Sequence, residues 1–222
     1  MTTKQIKNLV ICGTDTDVGK TVVSAFLVQG LNACYWKPIQ SGLEEDGDRG
    51  RVCKLLNLTA ERWIPEVYKL KAPVSPHWAA ERQKCMIKKE RLNIPNHNHP
   101  IIIETAGGLM VPLTYDFLQI ELLKIWNIPV ILVARSGLGT LNHTLLSLEA
   151  LRLRKIPILG IILNGPIHPN NPKTLEKVGK VPVIAEIPRF ESLTAEKLLN
   201  LWQKEDLHSR FKKLISARKN SK

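Results

Sequence analysis

The run Gly13-Thr-Asp-Thr-Asp-Val-Gly-Lys-Thr21 sets two glycines, a lysine and a hydroxyl at the spacing of a phosphate-holding loop. Glycines let the backbone curl so that its N–H groups face phosphate oxygens. A helix starting behind them presents its positive end, Lys20 reaches the outer phosphates, and the Thr21 hydroxyl suits Mg²⁺. Five residues rather than the usual four separate Gly13 from Gly19, so the loop is a variant.

Three further groups complement such a loop. Lys37-Pro-Ile-Gln-Ser-Gly42 carries a lysine able to stabilise charge spreading over a transferring phosphoryl group, with Ser41 close by; a plain surface lysine is the alternative. Asp48 opens a helix-like stretch, and Glu104 ends the strand expected at Ile101 to Ile103, directly before Thr105-Ala-Gly-Gly108. Mg²⁺ takes hard oxygen ligands, so Thr21, Asp48 and Glu104 form a candidate metal set.

Arg135-Ser-Gly-Leu-Gly-Thr-Leu-Asn-His143 is a glycine-bearing loop leading into a helical pattern, and exposed N–H groups at such a start hold carboxylates or phosphates. Thr140 and Asn142 are equally good capping residues, and the residues themselves leave both roles open. Asn164-Gly165 and Pro188-Arg-Phe190 end later apolar runs, where a nucleotide base can be received. Neither Asn-Lys-x-Asp nor Thr-Lys-x-Asp, the guanine-reading patterns, occurs, which favours adenine.

The elements that must position these groups are short apolar runs: Asn8 to Cys12, Ala33 to Trp36, Ile101 to Ile103, Val130 to Ala134, Ile158 to Leu163 and Val183 to Ile187. Continuous apolarity marks strands buried on both faces, hence a parallel sheet. Gly19 to Leu31, Phe117 to Trp126 and Leu141 to Leu153 repeat apolar residues at helical spacing. Alternation of strand and helix predicts an α/β fold, doubly wound, with a mostly parallel sheet and helices on both faces. In such folds ligands lie beyond the carboxyl ends of the strands, where the groups above are found. Asn93 to Pro100 reads as a surface loop, with His97 and His99 solvated.

The chain of 222 residues suits one domain, 1–222, with a basic tail from about residue 210 that reads as frayed. Its four cysteines show neither disulfide nor zinc spacing, which fits reduced thiols in a cytoplasm. Apolar stretches are too short to span a membrane. The net charge of +12 raises nucleic-acid binding, but the cations are scattered and lack interleaved aromatics, so no nucleic-acid partner is expected.

GTDTDVGKT, KPIQSG, APVSPHWAA, ETAGG, GLGTLNH and AEIPRF together resemble, in identity and order, the dethiobiotin synthetase family, from Asn8 to about Phe190. The loop alone is shared with many ATPases, whereas KPIQSG and Ser75-Pro-His77 are more particular. The resemblance implies a P-loop NTPase-like fold and a homodimer that converts 7,8-diaminononanoate, CO₂ and ATP to dethiobiotin, ADP and phosphate in biotin biosynthesis. One substrate amine takes up CO₂ as a carbamate, whose oxygen attacks the γ-phosphate. The second amine then closes the ureido ring by displacing phosphate.

The same resemblance implies that Lys37 is catalytic, that Ser41 touches the substrate, and that Thr21, Asp48 and Glu104 surround Mg²⁺. Nucleotide contacts fall on Asp17, Val18, Gly19, Lys20, Thr21 and Val22, on Asp48, on Glu104, Thr105, Ala106 and Gly107, on Asn164 and Gly165, and on Pro188, Arg189 and Phe190. Gly139, Thr140 and Asn142 hold the substrate carboxylate in the neighbouring subunit's site. Asp17 stands where many members have Glu, and Thr105 where many have Gly.

Two other readings compete. A partitioning or targeting ATPase usually carries an extra lysine near the start of the loop, where this chain has Thr14 to Asp17. A nucleic-acid-associated ATPase is suggested only by the basic balance.

Overall fold

The computed structural model describes residues 8–219. Eleven strands and eight α-helices lie along them. The first half holds β1 (Asn8–Gly13), α1 (Lys20–Gly30), β2 (Cys34–Trp36), β3 (Ile39–Ser41), α2 (Gly47–Leu56), β4 (Trp63–Ile64), β5 (Tyr68–Leu70) and α3 (Pro76–Arg82). There follow β6 (Ile101–Gly108), β7 (Pro112–Thr114), β8 (Phe117–Leu118), α4 (Gln119–Trp126), β9 (Val130–Arg135), α5 (Thr140–Leu153), β10 (Ile158–Asn164), α6 (Asn171–Gly179), β11 (Val183–Ile187), α7 (Ala195–Lys204) and α8 (Leu207–Lys219).

Seven strands form one parallel sheet in the order β11-β10-β9-β1-β6-β2-β4. All six apolar runs expected as strands lie in it, because their residues are buried on both faces and a parallel sheet covered on both sides demands that. One face packs Phe26 and Leu27 of α1 with Leu198 and Trp202 of α7; the other packs Ile120 and Leu123 of α4 with Leu148 and Leu151 of α5. The fold is therefore α/β and doubly wound, as expected.

From β1 the chain crosses to β2 on one side, returns to β6 beside β1, and later takes β9 on β1's other side. The reversal of winding falls at β1, so the crevice beyond its carboxyl end opens where the glycine loop lies. Two small sheets, β3 with β5 and β7 with β8, flank this edge together with α3. Among the described residues, no helix is long and apolar enough to cross a membrane.

Three details depart from expectation. Glu104 is not at a strand end, since β6 continues to Gly108. Phe117 and Leu118 pair with β7 before α4 begins. The basic segment from residue 210 is helical rather than frayed as far as Lys219, and its residues 220–222 lie outside the described residues. Its basic composition conceals an apolar stripe: Leu207 and Phe211 are buried, Leu214 and Ile215 pack on the core, and Phe211 stacks on Trp202 at 5.5 Å.

Candidate functional site

Gly19, at φ +93°, caps α1 and turns the chain from loop to helix. That left-handed conformation is costly for any residue with a Cβ. Lys20, in the first turn, is buried, and its Nζ donates to Asp15 O at 2.9 Å across the curl of the loop. Burial lowers its pKa, opposed in part by the charge of Glu104.

Thr21, one residue on, faces Glu104, its Oγ1 donating to Oε1 at 2.9 Å. Lys37, just beyond β2, donates to the same Oε1 at 3.2 Å and to Asp48 Oδ2. Burial works against the Lys37 charge, but Glu104 and Asp48 outweigh it and hold its pKa above the ordinary value. Asp48 is driven the other way: burial raises its pKa, while the Lys37 ammonium and the hydrogen bond it donates overcome this and lower it. The cluster is thus an ammonium shared between two carboxyl groups, next to a hydroxyl and a second lysine.

These side chains line a cavity of about 490 Å³ that also takes in Asp17, Gly19, Ser41, Ala106 and Gly107. Ser41 Oγ is buried without a hydrogen-bond partner, an orphan polar atom such as a ligand satisfies. A second cavity of about 540 Å³ adjoins the first at Asp17 and is lined by Val22, Asn164, Gly165, Pro188, Arg189 and Phe190. Asn164 Nδ2 donates to Val18 O at 3.2 Å and so ties the end of β10 to the loop.

The remaining expected residues stand apart. Val18 and Thr105 are buried and line neither cavity. In β6 successive side chains face opposite ways, so Thr105 points away from the side shared by Glu104 and Ala106. Gly139, Thr140 and Asn142 also line neither: Thr140 is buried against Thr144 at 3.3 Å between hydroxyl oxygens, while Gly139 and Asn142 are exposed.

Other residues entered the site without a role foreseen for them. Gln40 Oε1 accepts from the Asp48 backbone N–H at 3.1 Å, and its Nε2 donates to Ser41 O and Gly42 O, both at 3.0 Å. It locks the start of α2 to β3 and thereby sets Asp48; its only sequence signal was a polar residue within KPIQSG. Arg51, one helical turn beyond Asp48, lies 3.7 Å from Asp48 Oδ1 on the wall of the first cavity. Ser136 lines the second cavity with an orphan buried Oγ.

A family model described as an AAA domain matches residues 7–197. An ATP-dependent dethiobiotin synthetase of Rhodopseudomonas palustris is 46% identical over 86% of this chain and 89% of that protein. One from Brucella ovis is likewise 46% identical, over 86% of this chain and 90% of the relative. Among solved structures, a ParA family ATPase from Chlorobium tepidum superposes with a TM-score of 0.53 at 14% identity, covering 94% of this chain and 97% of that one. That last likeness concerns the fold alone. The sequence relatives go further, at an identity and coverage that fix kinship: the chain belongs to the ATP-dependent dethiobiotin synthetase family.

Proposed function

We propose that this protein closes the ureido ring of dethiobiotin from 7,8-diaminononanoate and CO₂ at the expense of ATP, as a cytoplasmic homodimer that uses Mg²⁺. The observation that carries the reading is the shared ammonium. Lys37 is held charged by Glu104 and Asp48 in the same cavity as Lys20, Thr21 and the orphan Ser41 hydroxyl.

Chemically, the reaction needs two amines, CO₂ and a γ-phosphate brought together, and positioning with charge neutralisation does most of the work. Lys20 and the loop amides hold the phosphates, and the second cavity, with Asn164, Gly165 and Pro188 to Phe190, receives the base. Lys37 neutralises charge on the carbamate and on the phosphoryl group as it moves. Ser41 hydrogen-bonds the substrate. The carbamate oxygen attacks the γ-phosphate, ADP leaves, and the second amine displaces phosphate to close the ring.

Thr21, Asp48 and Glu104 supply two carboxylates and a hydroxyl, a hard-oxygen set that suits Mg²⁺ when water and phosphate oxygens complete the shell. The ion when bound supplies charge neutralisation on the phosphate oxygens. Gly139, Thr140 and Asn142, outside both cavities of their own chain, grip the substrate carboxylate of the neighbouring subunit.

Incubation of the purified protein with diaminononanoate, bicarbonate, ATP and Mg²⁺ should yield dethiobiotin and ADP in equal amounts by mass spectrometry. ATP hydrolysis without dethiobiotin would sink the reading. Sedimentation at assay concentration should give a dimer, and a fully active monomer would remove the cross-subunit role.

A further inference from the structure

Glu104 has a partner on the side away from the phosphate loop. Tyr35 is fully buried in β2, and its hydroxyl donates to Glu104 Oε2 at 3.0 Å. β2 and β6 run parallel with Tyr35 opposite Ile102. Alternate residues share a face, so Ile102 and Glu104 lie on the side that carries Tyr35, and Glu104 is its diagonal neighbour within reach of a long side chain.

Apolar packing at this position requires only a ring. A buried phenol adds a polar atom that must be satisfied, and here the carboxylate satisfies it. The phenol is fully buried, and Glu104 is the partner to which its hydroxyl donates. The carboxylate is thereby divided: Oε2 is committed to Tyr35, while Oε1 accepts from Thr21 at 2.9 Å and Lys37 at 3.2 Å. The terminal torsion of a glutamate is intrinsically broad, so a fixed partner on one oxygen determines where the other points. Tyr35 lines neither cavity.

We propose that Tyr35 is a positioning residue for the metal: its hydroxyl fixes the carboxylate plane of Glu104 so that Oε1 faces Thr21 and the phosphate loop. The inference rests on the reading of Thr21, Asp48 and Glu104 as Mg²⁺ ligands. Outer-shell hydrogen bonds to ligating carboxylates typically govern metal affinity by about 10- to 100-fold.

Tyr35→Phe removes the hydroxyl and keeps the ring. Mn²⁺, standing in for Mg²⁺, is titrated into the protein with ADP and followed by electron paramagnetic resonance. Metal-free ADP binding is measured in parallel by calorimetry. The expected result is Mn²⁺ binding weakened about tenfold or more, with metal-free ADP affinity unchanged. Wild-type protein that fails to bind Mn²⁺ would overturn the metal reading itself. Wild-type binding matched by Tyr35→Phe, or metal and metal-free ADP affinities falling together, would overturn the positioning role alone. If Tyr35→Phe does not fold, a Tyr68→Phe/Tyr115→Phe variant leaves Tyr35 as the sole tyrosine of the three in the chain. Its ¹³Cζ resonance should shift when Mg²⁺ joins the ADP complex, and an unmoved resonance overturns the proposal.

Discussion

A Cβ at Gly19 would sit 2.0 Å from Asn164 Nδ2, the same nitrogen that donates to Val18 O at 3.2 Å. The end of β10 therefore braces the phosphate loop from the side of the second cavity, and the brace tolerates no side chain beneath it. Gly19→Ala meets two penalties at once. The φ of +93° costs a residue with a Cβ about 1–2 kcal/mol, and displacing Asn164 forfeits a hydrogen bond of about 1 kcal/mol. ATP affinity measured by calorimetry should fall at least about tenfold, as about 1.4 kcal/mol requires. An unchanged dissociation constant would mean that the brace has no bearing on the loop.

Glu104 gathers three donors, Thr21 and Lys37 on Oε1 and Tyr35 on Oε2. Glu104→Gln keeps the shape but turns one oxygen into a donor amide facing donors, a buried mismatch worth about 1–3 kcal/mol of stability. With the charge also gone, the Mg²⁺ concentration for half-maximal rate should rise about tenfold or more. A Mg²⁺ dependence superimposable on that of the unmodified protein would remove Glu104 from the metal set.

The C-terminal helix offers a prediction about stability alone. Phe211 is buried, stacks on Trp202, and lines neither cavity of the site. Phe211→Ala should cost about 3–5 kcal/mol, lowering Tm by about 10 °C at roughly 2–4 °C per kcal/mol for a chain of this size. ATP affinity at 25 °C should stay within about twofold. A calorimetric Tm within a degree or two of the unmodified protein would show that the helix does not belong to the cooperative core.

Sequence legibility followed burial and chain separation. Strands such as Val130–Arg135 were readable because apolar residues on both faces leave one interpretation. The phosphate loop was readable because its groups are consecutive. The pairing of Tyr35 with Glu104 was hidden, since nothing in Cys34-Tyr-Trp36 marks its tyrosine as reaching a residue 69 positions away. β3 and β5, of three residues each, are too short for a period to appear. The helix from Leu207 was masked by lysines and arginines that share its turns with Phe211 and Ile215. Thr105 shows a different limit: a motif lists consecutive residues, whereas a strand turns every second side chain to the opposite face, and the run of letters does not display which face each one takes.

Lys37 carries the most discriminating expectation, because it is bound into the carboxylate pair as well as facing the cavity. Its side chain is 8% exposed, and its ammonium neutralises Asp48 and Glu104, whose side chains are 16% and 1% exposed. Lys37→Gln leaves two buried carboxylates without their cation, and breaking a buried pair from one side costs about 3–5 kcal/mol. Tm should therefore drop in EDTA. Mg²⁺ with ADP should restore it by a larger increment than in the unmodified protein, since the ion then supplies the missing charge. A group used mainly as charge moves in the transition state lowers the rate when lost and leaves ground-state binding largely intact. kcat for dethiobiotin formation should thus fall about 100-fold or more, in line with loss of an electrostatic stabiliser, while the ATP dissociation constant with Mg²⁺ stays within about threefold. Parallel loss of both, or loss of neither, takes Lys37 off the catalytic list. A kcat defect without the extra Mg²⁺-dependent recovery of Tm keeps the catalytic role but denies that Lys37 and the ion balance the same charges on Asp48 and Glu104.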